Sequence, residues 1–99
     1  MYATVRNYTG APELADALAA RAGDVEELMG TIPGFQAYYL VRTDGGCTTI
    51  SVFDSASGAE ESSRRAAEYL RDHAGEFTSP PPAIYAGDVL VSLGAAARV

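Results

Sequence analysis

The sequence predicts an α+β domain with the element order βαββαβ, and three observations carry that prediction. Two β-rich stretches within 32–53 flank Asp44-Gly45-Gly46, a hairpin signal because glycine reaches positive-φ turn conformations without steric cost. A segment with helical spacing lies on each side of this hairpin. A further strand-like stretch stands near each end of the chain.

Each element has its own local reason. Tyr2 to Tyr8 alternates with period two, so Ala3, Val5 and Asn7 share one face and Tyr2, Thr4, Arg6 and Tyr8 the other. Thr9 or Gly10 can cap a helix that has Pro12 in its first turn, where a missing N–H costs little. From Glu13 to Met29, Leu14, Leu18, Val25, Leu28 and Met29 keep roughly helical spacing, with Gly23 a candidate break. Gly30 and Pro33 end this segment. Strand two is expected from Phe35 to Thr43 and strand three from Cys47 to Phe53. Ser57 followed by Glu60 has the spacing of a capping box for a helix reaching about Ala74. Its expected inner stripe is Ala59, Ser63, Ala66, Ala67, Leu70 and His73 or Ala74. The charged residues between them form a solvated face whose ion pairs are each worth a few tenths of a kcal/mol, roughly. Ser79 and three prolines make a stiff connector into a last strand, Ile84 to Leu93, with Gly87 a candidate bulge.

Composition narrows the function classes. Thirteen acids against seven arginines and no lysine give a net charge of −6, which disfavours nucleic acid and anionic membrane as partners. A single cysteine excludes an internal disulfide, and Cys47 in a strand is read as packing. No signal peptide and no apolar run of about 18 residues is present, so a cytoplasmic location is expected. One histidine and one cysteine far apart in sequence do not make a metal site, and no glycine-rich phosphate loop is present.

Right-handed crossovers place two helices on one face of a four-stranded antiparallel sheet, the ferredoxin-like arrangement. Residues 1–93 form this single domain, and 94–99 are expected to be a flexible tail. The sheet face away from the helices is expected to carry Tyr2, Tyr8, Tyr38, Leu40 and Phe53. Such an apolar patch is large for a monomer, so a homodimer through the sheet face is expected.

The element order, Ile32-Pro33-Gly34-Phe35 leading into strand two, Tyr39-Leu40-Val41-Arg42, and Ser51-Val52-Phe53 before the second helix carry a family likeness. The chain resembles the antibiotic-biosynthesis-monooxygenase-like domains of the dimeric α/β-barrel superfamily over residues 1–93. That resemblance implies a ligand between the sheet and the helices of one protomer. In the haem-degrading branch an asparagine late in strand one and a histidine late in helix two serve the reaction, and Asn7 and His73 match them by position. That branch also uses a tryptophan in the second helix or just before it, and the superfamily's phenol oxygenases commonly have one near it. This chain has no tryptophan, with Ser63, Ala66 and Ala67 at the candidate positions, which puts haem degradation behind the other readings.

The candidate catalytic residues are therefore His73 and Asn7. His73 is the only histidine and the one obvious base near neutral pH. A histidine at a helix end is also at home beside the C-terminal dipole, and Asn7 can equally tie down a strand end. Tyr39, Tyr69 and Tyr85 are candidate substrate-binding residues, with aromatic faces and hydroxyl handles, though tyrosine is also an ordinary strand and interface former. Arg42 and Arg6 are placed to meet an anionic ligand, while salt bridges to the many acids are the commoner use of arginine. The first expectation is a protein that binds a small hydrophobic or aromatic molecule, with no cofactor. The alternative is a cofactor-independent monooxygenase-like enzyme acting on a phenolic or quinone-type small molecule.

Overall fold

The structure is a computed structural model that describes residues 1–73 and 80–93. Strand β1 (Tyr2–Tyr8) leads into two short helices, α1 (Leu14–Ala20) and α2 (Ala22–Gly30). The hairpin β2 (Phe35–Thr43) and β3 (Gly46–Phe53) follows, then α3 (Ala56–Asp72) and β4 (Ala83–Asp88). The four strands are antiparallel neighbours in the order β2-β3-β1-β4, which is the expected ferredoxin-like sheet. Among the described residues no helix is long and apolar enough to cross a membrane.

Several local expectations are corrected. The first helical segment is two helices, because the chain turns at Arg21, whose N–H donates to the Leu18 carbonyl at 3.0 Å. The break precedes Gly23, and Arg21 pairs with Asp24 in the first turn of α2, where a carboxylate favours the helix dipole. Ser55, not Ser57, is the N-cap of α3, and no side chain closes a capping box there. Ala67, expected on the inner stripe, is exposed, while Ser62 is fully buried. Ala74 lies outside the described residues. β4 stops at Asp88, short of Leu93, and Leu90, Val91 and Leu93 stand in solvent. Gly87 pairs with Ala3 in regular register, and the sheet's irregularity lies instead between Phe35 and Ala37. Of the expected domain, 1–73 and 80–93 are described, and the expected tail 94–99 lies outside the description.

The largest correction concerns the faces of the sheet. Thr4, Arg6 and Tyr8 of β1 and Cys47, Thr49, Ser51 and Phe53 of β3 are buried on the helix side. Tyr38 and Leu40 lie with them, opposite Ser51 and Thr49. The face away from the helices carries Ala3, Val5, Asn7, Ala37, Tyr39, Val41, Ile50, Val52 and Tyr85. Both parities are apolar enough to serve as a core, so alternation alone leaves the side open. Packing decides it. Phe53 is 0% exposed, in edge contact with Phe35 (centroids 5.6 Å apart) and closely covered by Gly58 of α3.

The core is two apolar clusters. One joins Tyr8, Ala11, Leu14, Ala15, Leu18 and Cys47; the other joins Val25, Met29, Ile32, Phe53 and Ala59. Glycine sets two joints of the chain. Gly34 has φ +84°, the left-handed turn into β2 that the Pro-Gly pair predicts. Gly46 lets β3 start directly against the end of β1: a Cβ there would lie 2.0 Å from the Tyr8 carbonyl oxygen. Gly46→Ala should therefore destabilise the fold by roughly 2–3 kcal/mol in urea denaturation, through forced strand displacement. A loss below about 0.5 kcal/mol would show that the strands do not approach so closely.

Candidate functional site

The middle of the sandwich holds a charge. β1 turns Arg6 toward the helices, and the residue is only 2% exposed. Its guanidinium donates from Nη1 to Ser51 Oγ (3.3 Å) on β3 and from Nη2 to Ser62 Oγ (3.1 Å) and Ser63 Oγ (2.8 Å) on α3. Ser62 donates its own hydroxyl proton to the Ala59 carbonyl (2.7 Å), which leaves its lone pairs for Arg6. Arg6 Nε donates to none of the described residues. The other described arginines each meet a carboxylate: Arg21 with Asp24, Arg42 with Asp16, Arg64 and Arg65 with Glu61, Arg71 with Asp72. Arg6 has only neutral partners.

Nearby phenols do not compensate it. Burial, then the neighbouring Tyr8, push the Tyr38 hydroxyl up to about 12, and burial also raises that of Tyr8. Both rings are therefore neutral hydrogen-bonding groups at physiological pH. Burial lowers the Arg6 pKa from its ordinary value, the direction expected for a desolvated cation. Cys47 is buried and its thiol is also pushed up by burial, so it is not a poised nucleophile.

Two spaces adjoin this charge. A cavity of about 30 Å³ is lined by Arg6, Tyr8, Tyr38, Thr49, Tyr69 and Leu70, among others. A groove of about 620 Å³ runs along β2 beneath the α1–α2 break, lined by Leu18, Ala22, Val25, Met29, Tyr38 and Leu40, among others. Leu18, Val25, Met29 and Tyr38 line both, so the cavity and the groove adjoin across these side chains. Ala19, Ala22 and Gly23 keep the groove open at the break because they carry almost no side chain. Tyr69 on α3 closes the far wall, its hydroxyl donating to Asp24 at 3.1 Å. Arg65 ties the same helix to the end of α2 through the Leu28 carbonyl (3.2 Å) and Thr31 Oγ1 (2.8 Å).

The residues singled out from the sequence are dispersed. Tyr69 lines the cavity. His73 caps α3, with its ring stacked on Tyr69 (centroids 4.2 Å) and Nδ1 2.8 Å from the Tyr69 carbonyl oxygen, so Nδ1 carries the proton. Asn7, expected on the helix side, lies on the opposite face, where its Oδ1 accepts from Thr48 Oγ1 at 3.1 Å. Tyr39 stands on that opposite face at the rim of the groove, 50% exposed, and Tyr85 lies on β4 at 64%. Arg42 is exposed and paired with Asp16. The structure thus joins Tyr69 with Arg6 and Tyr38, and it separates Asn7, Tyr85 and Arg42 from them. The one sequence signal for the Arg6 cluster is a pair of serines, Ser62 and Ser63, where an inner helix stripe would ordinarily be apolar.

No family model and no curated protein matches the chain. Solved structures do. A mutant of MhuD with two manganese protoporphyrin IX bound per active site aligns with TM-score 0.74 over 96% of this chain and 100% of that one, at 12% identity. A dimeric ferredoxin-like protein from an uncultured marine organism gives 0.68 over 95% and 97%, at 10% identity. A monooxygenase of Streptomyces coelicolor in complex with nanaomycin D gives 0.61 over 92% and 91%, at 19% identity. The fold is ferredoxin-like. The likeness to antibiotic-biosynthesis-monooxygenase-like proteins drawn from the sequence holds at the level of this ferredoxin-like fold, which hosts several chemistries.

The Tyr38 environment has a consequence for alkaline stability. An unfolded tyrosine ionises near pH ~10, whereas folded Tyr38 holds its proton to about 12. The stabilisation is complete below the lower value and is lost as pH rises toward the upper one, at up to ~1.4 kcal/mol per pH unit. Urea midpoints should fall across that window, and Tyr38→Phe should flatten the fall. An identical pH profile for wild type and variant would sink the assignment.

Proposed function

We propose that the protein binds a small hydrophobic or aromatic molecule in the groove beneath the α1–α2 break. The observation that carries this is the groove itself: about 620 Å³, lined mainly by apolar side chains, and adjoining the polar cluster at Arg6. That volume and lining fit a molecule of two or three rings. The test uses 2-naphthoate and 2-naphthamide, titrated by calorimetry. At least one should bind, and Ala22→Trp, which fills the groove from an exposed position, should weaken that binding tenfold or more, about 1.4 kcal/mol, with little loss of stability. Neither probe binding, or the variant binding as tightly as wild type, would overturn the reading.

Monooxygenase-like turnover of a phenol or quinone is the second reading. It draws on the stack of His73 against Tyr69, which puts the sequence's one histidine a single ring away from the cavity. A general base has to reach the proton it removes. His73 stands behind Tyr69 and is not in the cavity lining, which favours binding without turnover.

The same protein is proposed to act as a homodimer through the open sheet face. Tyr39, Ile50, Val5 and Tyr85 form one cross-strand row there, flanked by Ala3, Ala37, Val41 and Val52. An apolar face of this extent is unusual on a monomer. Sedimentation should give twice the chain mass, and Ile50→Asp should shift it to the single chain. Wild type sedimenting as a monomer at micromolar concentration would remove the reading.

A further inference from the structure

We propose that Arg6 is the anchor for a ligand carboxylate: the molecule is a small aromatic acid whose ring lies along β2 and whose head group enters the cavity beside Tyr38. The assignment rests on the groove reading above and adds to it the charge of the ligand.

Four observations point the same way. Arg6 is the one described arginine that meets no carboxylate, in a chain with thirteen acids to choose from. The pairing of all the others shows that carboxylates were available to the fold. Its three serine partners satisfy part of the guanidinium but bring no negative charge. Taking a cation out of water costs several kcal/mol, roughly, and hydroxyl dipoles return less of that than an anion does. Nε is left without an acceptor among the described residues, and the neutral hydroxyls of Tyr8 and Tyr38 stand beside the same cavity as further donors.

Access and size complete the case. The cavity at Arg6 adjoins the groove across four shared wall residues, Leu18, Val25, Met29 and Tyr38, so a ring in the groove lies one side chain from the cavity. At about 30 Å³ the cavity has room for about one water, less than a carboxylate needs. Tyr38 lines both spaces, and its ring is the part that has to turn aside when the head group enters. A neutral ligand of the same shape gains the ring contacts and forfeits the ionic one. The preference for acid over amide therefore reports on the charge at Arg6 together with the donors beside it, and the Arg6 variant separates the two.

The experiment compares 2-naphthoate, ionised at neutral pH, with its neutral analogue 2-naphthamide on the wild-type protein. Naphthoate should bind at least tenfold more tightly, and it should shift the Arg6 Nε–H resonance while the amide leaves it in place. In Arg6→Met the tenfold preference for the acid over the amide should disappear. Should Arg6→Met fail to fold, the wild-type comparison and the Nε–H resonance decide. Acid and amide binding equally in wild type, or naphthoate leaving the Arg6 resonance unmoved, would overturn the carboxylate assignment and leave the groove standing. Neither compound binding would overturn both.

Discussion

A guanidinium held between a sheet and a helix constrains everything around it. Arg6 reaches from β1 to α3, and its partners on that helix are short hydroxyl side chains, which let the helix approach the sheet. Ser62 is fully buried, and it can be so because its proton goes to the Ala59 carbonyl while it accepts from Arg6. Thr49 and Ser51 lie beneath the same guanidinium on β3, only 2% and 0% exposed. A polar layer thus crosses the middle of the sandwich. The apolar core is correspondingly split, with Leu14, Leu18 and Cys47 in one cluster and Met29, Ile32 and Phe53 in the other.

The helical layer is divided as well. Were 14–30 one continuous helix, its axis would be fixed by the Leu14–Leu18 contacts alone. The turn at Arg21 lets α2 take its own direction and bring Asp24 to the Tyr69 hydroxyl and the Leu28 carbonyl to Arg65. These links between α2 and α3 are polar and partly exposed, so each adds little stability, but together they fix where α2 sits. The groove is the space that the two directions leave over β2, and the small residues at the break keep it open.

Much of this was legible in the sequence, for identifiable reasons. β1 and β2 have the predicted bounds, and β3 begins one residue early, because period-two alternation and the Asp-Gly-Gly turn are local signals. Which side of the sheet meets the helices is not local. Ala3 and Val5 are as suited to a core as Thr4 and Tyr8, and Arg6 reads as a surface residue until the serines of α3 are placed above it. That one ambiguity moved Asn7 away from the helices and put Tyr39 and Tyr85 on the open face. The cap of α3 and the end of β4 were missed because the true boundaries rest on tertiary contacts, such as the Val89 N–H donating to the Met1 carbonyl. Of the site, Tyr69 and Arg6 were both named from residue type, whereas the burial of Arg6 against the serines of α3 needed the fold.

The Arg6 cluster also bears on why such a residue persists. A methionine at this position would fill similar space and desolvate no charge, and buried ionic groups replaced by apolar ones are often neutral or stabilising. A cation surrounded by hydroxyls and neutral phenols recovers less of its desolvation cost than one paired with a carboxylate. What the arrangement supplies is a fixed positive charge, almost fully removed from solvent, one layer of side chains from an apolar groove. The three serines hold the guanidinium in one orientation without neutralising it, which a carboxylate partner would do. An arginine placed only to join β1 to α3 would be better served by an acid among them; one kept unneutralised is suited to an anion that comes from outside.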